Sequence, residues 1–300
     1  TGSESGMIPG TILNAITVDV EEHFQVSAFE DVVARDRWSE MASRVEANTD
    51  RLLELFDAEG VCGTFFILGW VAERHRDLVR RIADAGHEIG SHGYSHRLIY
   101  RQTPEEFREE TLRSRKILED ATGIAVDGYR AASFSIVRDN VWALDILAET
   151  GFRYDSSLFP VIHDRYGFRG IPRHPFRLRT PSGAPLAEVP PSTVSAGGTS
   201  LPVAGGGYLR FYPFPLTRWA VNRLNRKEGI PANVYIHPWE VDPEQPRIRE
   251  APLRSRFRHY VNLDTTLDKV RKLLQTFRFG PLRQVLEEYG DLEEMALGSS

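Results

Sequence analysis

Four times along this chain an amphipathic stretch runs into a glycine-bearing turn, and a short apolar run begins directly beyond it. The turns carry Gly60 (DAEG), Gly86 (DAGHEIG), Gly123 (DATG) and Gly151 (AETG). Glycine suits the left-handed position just past a helix C-terminus, so each turn marks a helix exit that feeds a strand. The pattern predicts helices at about 45–59, 71–85, 104–121 and 139–150. The third has the clearest start, with Thr103 as N-cap, Pro104 at the first helical position and glutamates able to complete a capping box. Strands are predicted at about 12–19, 61–67, 87–90, 126–130, 152–154 and 233–237. Strands alternating with helices of this length imply βαβ units and a parallel sheet.

The rhythm stops after Tyr154. Residues 156–232 are rich in proline and contain the run Gly205-Gly206-Gly207, with few periodic segments. A structureless loop of that size is unusual, so the stretch is expected to be an insertion with short strands covering one end of the fold. The barrel-like rhythm resumes at Asn233, and 264–277 and 281–289 read as closing helices. No linker and no fixed-period repeat is visible, so the 300 residues are expected to form one α/β domain with a long irregular insertion.

Composition narrows the function. The formal charge of −5 leaves no global positive field to hold nucleic acid or an anionic surface, so polyanion binding would need a local patch. Cys62 is the single cysteine, which excludes an internal disulfide framework and a cysteine-based zinc cluster. Any metal must use His, Asp or Glu. The longest apolar run, Val61 to Ala72, is well short of the roughly 20 residues that span a bilayer. The leading TGSESG before Met7 resembles a cloning remnant. A native start at Met7 would keep the protein in the cytoplasm, and a trimmed export signal would place it in the periplasm. The oligomeric state is not legible.

The candidate chemistry falls at predicted strand ends, where parallel α/β barrels place their functional groups. The first strand ends in Thr17-Val18-Asp19-Val20-Glu21-Glu22-His23. Because strand side chains alternate, Asp19 and Glu21 are expected on one side. The third strand runs into Ser91-His92-Gly93-Tyr94-Ser95-His96, whose two histidines four apart can meet at one site. Two imidazoles and one carboxylate form the open three-ligand set that metal hydrolases use. Arg130 ends the fourth strand, where a guanidinium can orient a carboxylate. His237 in Tyr235-Ile236-His237-Pro238-Trp239-Glu240 stands where a general acid fits, and Trp239 where a sugar could stack. Each of these alone is more often a solvated or packed residue.

Together, TVDVEEHFQV, SHGYSH, GYRAASFS, YDSSLFP and YIHPWE resemble, in this order, the polysaccharide deacetylases of carbohydrate esterase family four. The likeness is strongest to the branch found with bacterial exopolysaccharide and exosortase systems, and covers about residues 12–290. The resemblance implies a distorted, seven-stranded (β/α) barrel and metal-dependent removal of acetate from N-acetylated sugars. Zn2+ is the expected ion, with Co2+, Ni2+ or Fe2+ as alternatives. By motif, Asp19 matches the catalytic base, His92 and His96 match metal ligands, His237 the general acid, and Arg130 the residue that orients the base. Near Ser133 the backbone N–H matches an oxyanion donor. Asp155 is the candidate acid that tunes His237, although the tryptophan usual after it is missing. Val20 separates acids that the family places side by side, so Glu21 is expected to complete the metal site, with Glu22 or His23 as fallbacks. Ala132 replaces a usual proline, and Gly93 a usual Ser or Thr. Tyr129, Ser133, Trp239 and, from the insertion, His163 are expected to face substrate, amid recurring aromatic and charged residues that include Asp164, Arg165, Tyr166, Arg210 and Phe211. Two alternatives stay open: an allantoinase-like hydrolase of small amides, and a glycan-binding barrel without catalysis.

Overall fold

A computed structural model describes residues 12–163, 166–196, 199–203 and 205–297. The leading stretch through Met7 and the insertion residues Asp164 and Arg165 lie outside the described residues. The predicted rhythm is present. Strands β1 (Asn14–Val20), β2 (Thr64–Ile67), β3 (Glu88–Ser91), β4 (Gly128–Tyr129) and β5 (Tyr154–Asp155) alternate with helices. Helix α1 (Val45–Ala58) leads to β2; α2 (Gly69–Arg74) and α3 (Arg76–Asp84) lead to β3. Helices α4 (Pro104–Thr122) and α5 (Trp142–Glu149) precede β4 and β5. All four marker glycines have positive φ, from 64° at Gly60 to 87° at Gly151. At the start of α4, Thr103 Oγ1 accepts from Glu106 N while Glu106 Oε2 accepts from Thr103 N, which satisfies two otherwise orphaned donors. The predicted helix 71–85 is interrupted at His75 (φ −123°, ψ 52°), whose ring meets Glu46 Oε1 at 2.6 Å.

The insertion is more ordered than its composition suggests. It contributes β6 (Phe176–Arg179), β7 (Pro185–Glu188), a hairpin of β8 (Thr193–Ala196) and β9 (Thr199–Pro202), and helices α6 (Gly206–Phe211) and α7 (Phe214–Arg223). Strand β7 pairs in parallel with β5, while β6 lies antiparallel on its far side. Beyond it the chain forms β10 (Asn233–Ile236), α8 (Leu253–Tyr260), α9 (Leu263–Thr276), β11 (Phe279–Gly280), α10 (Leu282–Tyr289) and β12 (Glu294–Ala296). The insertion is therefore not only a cover, because β7 belongs to the parallel sheet itself.

Among the described residues seven strands run parallel in the order β10-β1-β2-β3-β4-β5-β7. This is an α/β fold with a mostly parallel sheet. The chain leaving β7 returns to β10 through hydrogen bonds rather than a strand ladder. Ser192 N–H donates to Asn233 O at 3.3 Å, and the Asn233 amide donates to Val189 O at 3.0 Å. All seven residues of β1 are buried, as expected of a central strand covered on both faces. Burial of β2 and β10 is equally complete. Parallel pairing brings all C-terminal strand ends to one edge, and the chemistry-bearing residues Asp19, His92, Arg130 and His237 sit there. No helix among the described residues is long and apolar enough to cross a membrane.

Candidate active site

The edge opens into a cavity of about 390 Å3, lined among others by Asp19, Glu21, His92, His96, Ser133, His163, His237 and Trp239. Its floor is a cluster of potential metal ligands. One donor atom from each of Glu21, His92 and His96 lies within 4.8 Å of the other two, and all three residues are buried. Strand alternation brings Glu21 to the same side as Asp19, as the sequence predicts. His96 reaches the cluster from a left-handed backbone conformation (φ 51°), which a non-glycine residue adopts only when its surroundings hold it there.

The donor set fits a divalent cation. Glu21 Oε2 lies 2.8 Å from His96 Nε2 and 3.9 Å from His92 Nε2, yet it is fully buried without a properly aligned hydrogen-bond partner among the described residues. The three donor atoms crowd into one small buried volume, the arrangement that a shared cation would occupy. His92 Nδ1 donates to Arg130 O at 2.8 Å, which leaves its Nε2 free to bind a metal. Burial holds His92 down at about 4, so it is the neutral, ligating form at ordinary pH. Burial pushes the Glu21 carboxyl up, but His96, then His237 and His92, hold it well below the usual carboxylate range.

The two fallback ligands point elsewhere. Glu22 faces the start of α1, accepting from Arg44 N at 3.0 Å, from Val45 N at 3.3 Å and from Ser43 Oγ. A carboxylate there answers the orphaned N–H groups and positive end of the helix. The His23 ring packs edge-on against Phe24, 5.1 Å between centroids, outside the ligand cluster.

Beside the metal cluster, Asp19 Oδ1 accepts from Arg130 Nη1 at 2.8 Å. Arg130 is fully buried, and its fork is completed by Thr17 Oγ1 at 2.6 Å, Ser156 Oγ at 2.8 Å and Ser156 O at 3.2 Å. The guanidinium also lies 4.4 Å from the Phe66 ring. Asp19 Oδ2 is 3.9 Å from His237 Nε2, so both groups face one volume.

His237 is held by a carboxylate that the motif reading did not assign. Its Nδ1–H donates to Glu240 Oε2 at 3.0 Å, and the other Glu240 oxygen accepts from Arg210 Nε at 2.6 Å. Burial would lower the His237 pKa, but the Glu240 charge and hydrogen bond, with Glu21 and Asp19, raise it to about 9. Glu240 itself is pushed up by burial and pulled net downward by Arg210 and His237. The expected partner, Asp155, is turned away. It sits opposite Glu188 in the β5–β7 register, and accepts from Ser157 Oγ at 2.6 Å, which in turn accepts from Ala131 N at 2.8 Å. Asp155 thus props the turn after Arg130 instead of touching His237.

Two expected substrate residues are placed differently. The Tyr129 ring is buried between Phe107 and Phe152, at 5.8 and 5.4 Å, and does not line the cavity. Trp239 lines the cavity but is not a free platform, since it is stacked between His237 at 5.0 Å and His259 at 4.1 Å. Its Nε1 donates to Glu21 Oε1 at 3.1 Å, which makes it a support of the metal cluster. Ser133 and His163 do line the cavity. Ser133 has φ 51° and shares a 2.5 Å hydroxyl contact with Ser27, and His163 stacks on Tyr166 at 3.9 Å.

The comparisons divide the chain where its rhythm changes. Residues 25–154 match the polysaccharide deacetylase family, and residues 156–287 match a domain of unknown function (DUF3473). The chain is 36% identical over 115 residues to a peptidoglycan deacetylase of Helicobacter pylori, an alignment covering 38% of each chain. Thus it matches well under half the length of that curated relative. Among solved structures, a Mycobacterium smegmatis protein assigned to the polysaccharide deacetylases superposes with a TM-score of 0.62 at 22% identity, covering 100% of this chain and 99% of its own. The Puue allantoinase superposes at 0.60 and 16% identity, covering 96% and 95%. At such identities the likeness is one of fold, and it does not separate the two chemistries. Asp19 and Glu21 precede the first matched segment and His237 lies in the second, so the site draws on both. Residues 25–154 are thus similar to the polysaccharide deacetylases, and the residues from 156 on are similar to a domain of unknown function.

Proposed function

We propose that this chain is a metal-dependent hydrolase that removes acetyl groups from N-acetylated sugars of a bacterial polysaccharide, releasing acetate. The observation that carries the reading is the convergence of the Glu21, His92 and His96 cluster with Asp19 and His237 on one cavity. The named peptidoglycan and chitooligosaccharide deacetylases among its relatives support it. Two imidazoles and a carboxylate suit Zn2+, with Co2+, Ni2+ and Fe2+ as alternatives. A divalent cation held there would polarise the acetamide carbonyl and lower the pKa of a water molecule.

The chain's own groups then divide the proton transfers. Asp19, oriented by Arg130, takes a proton from the attacking water. His237, protonated and fixed by Glu240, gives a proton to the departing sugar amine. The resemblance supports a backbone N–H near Ser133, a residue that lines the cavity, as donor to the oxygen on which negative charge develops. Motif wording supports placing the chain in the exopolysaccharide and exosortase branch, and the sheet that runs through both matched segments supports one folding unit. Incubation with an N-acetylglucosamine oligomer should release acetate and leave free amines. Hydrolysis of allantoin without acetate release would overturn the reading in favour of the small-amide chemistry.

A further inference from the structure

We propose that the substrate is an anionic N-acetylated glycan, and that Arg254 and Arg258 read its negative groups at the mouth of the cavity. The inference rests on the deacetylase reading and deepens it. Both arginines belong to α8 and line the same cavity as Asp19, Glu21 and His237. Four residues apart, they share one helix face about 6 Å apart along the axis.

Their charges are uncompensated. Many surface arginines elsewhere are matched to acids, among them Arg81 to Glu46 and Asp50, Arg101 to Glu30, and Arg179 to Glu294. Between 247 and 258 stand five arginines against the single Glu250. Among the described residues none of these arginines has a carboxylate within 4.0 Å. The cavity's own acids cannot serve them, since Asp19 is held by Arg130 and Glu21 belongs to the ligand cluster. Arg210, another arginine lining the cavity, is already engaged by Glu240.

An exposed cationic edge in a chain of net charge −5 acts only locally. It offsets the repulsion an anionic chain would meet from the rest of the protein, and focuses such a chain on the cavity. A guanidinium fork suits carboxylate, phosphate or sulfate oxygens, whichever substituent the glycan carries. Leu253 and Phe257 on the adjoining stripe of α8 are exposed at 79% and 64%, and an anionic lipid surface would engage them together with the arginines. The observations favour a glycan because the arginines line the cavity and these two apolar residues do not.

Binding is to be measured by calorimetry on the metal-loaded Asp19→Asn protein, so that turnover plays no part. The probes are a neutral N-acetylglucosamine hexamer, a hexamer alternating N-acetylglucosamine with glucuronate, and a sulfated N-acetylglucosamine hexamer. At least one anionic probe should bind about tenfold tighter than the neutral one, and the gain should shrink between about 50 mM and about 300 mM salt. Adding Arg254→Glu and Arg258→Glu should abolish the gain, and the milder Arg254→Gln and Arg258→Gln should reduce it. Equal binding of all probes, or a gain that survives charge reversal, overturns the proposal. Arginine-dependent binding to phosphatidylcholine–phosphatidylserine vesicles without preference among the soluble probes also overturns it, in favour of a membrane surface. Failure of the wild type to release acetate would strike the deacetylase reading, while the binding preference would be untouched.

Discussion

Glu240 accepts two hydrogen bonds from one residue, the backbone N–H of His237 at 2.9 Å and its ring Nδ1–H at 3.0 Å. The first fixes where His237 leaves β10, and the second fixes its ring, so that Nε2 faces Asp19. With Arg210 on the far oxygen of Glu240, a relay runs from two buried residues, Arg210 and Glu240, to the half-buried His237 at the cavity. A general acid must be protonated, and a pKa of about 9 keeps His237 so through neutral pH, with its donating form lost as pH rises through that value. Glu240→Gln removes the charge that raises it. The alkaline limb of the kcat profile should therefore move to lower pH, with the loss larger at pH 8 than at pH 6. An unmoved limb would show that Glu240 does not tune His237.

Asp19→Asn and His237→Ala should each lower kcat by roughly 10²- to 10⁴-fold, the usual worth of a positioned proton-transfer group, while the metal stays bound. His92→Ala should instead lose the metal, because one of three ligands is gone. Elemental analysis of the three purified proteins, set beside their acetate-release rates, separates the roles. Substantial turnover in either of the first two would remove its assignment.

Trp239 is expected to act through Glu21. Trp239→Phe keeps the stack between His237 and His259 but deletes the 3.1 Å donation to Glu21 Oε1. Metal affinity, measured by competition with a chelator, should fall by about 10- to 100-fold, as for other groups that orient ligands. A change in sugar affinity at unchanged metal affinity would return Trp239 to a stacking role.

Asp155 and Glu188 lie buried side by side, and burial raises Asp155 to about 6 and Glu188 well above its ordinary value. Groups raised in the folded state add stability below their unfolded pKa and lose it as pH rises through the folded one. For Asp155 the window runs from 3.8 to about 6. Denaturant unfolding should therefore show Asp155→Asn gaining on the wild type by about 2 kcal/mol between pH 4 and pH 7. A difference independent of pH would mean that Asp155 ionises freely in the fold.

Much of the site was legible because its residues end strands whose helices announce themselves by capped starts and glycine exits. Alternation alone put Asp19 and Glu21 on one side, and the SHGYSH loop supplied both imidazoles. The residues that were missed act through tertiary contacts. Arg210 was read only among the recurring residues of the insertion; it reaches Glu240 from 30 residues away in sequence, and nothing local marks that pairing. Glu240 did leave a signal, since His-Pro-x-Glu sets proline first and glutamate third in a short helical turn, the pattern of a capping box. Strand β7 was hidden because Pro185 and a four-residue length disguise a segment that only pairing with β5 makes a strand. Tyr129 was misplaced because in a two-residue strand beside Arg130 the alternate side chain enters the core.

The central claim is that Glu21, His92 and His96 hold one ion that makes this cavity a deacetylase. The most direct measurement strips the protein of metal and titrates Zn2+ back while following acetate release from an N-acetylglucosamine oligomer. Activity should be absent at first, rise linearly and saturate at one ion per chain, with no recovery in His92→Ala. Full acetate release by the stripped protein, or equal recovery in His92→Ala, would contradict the account.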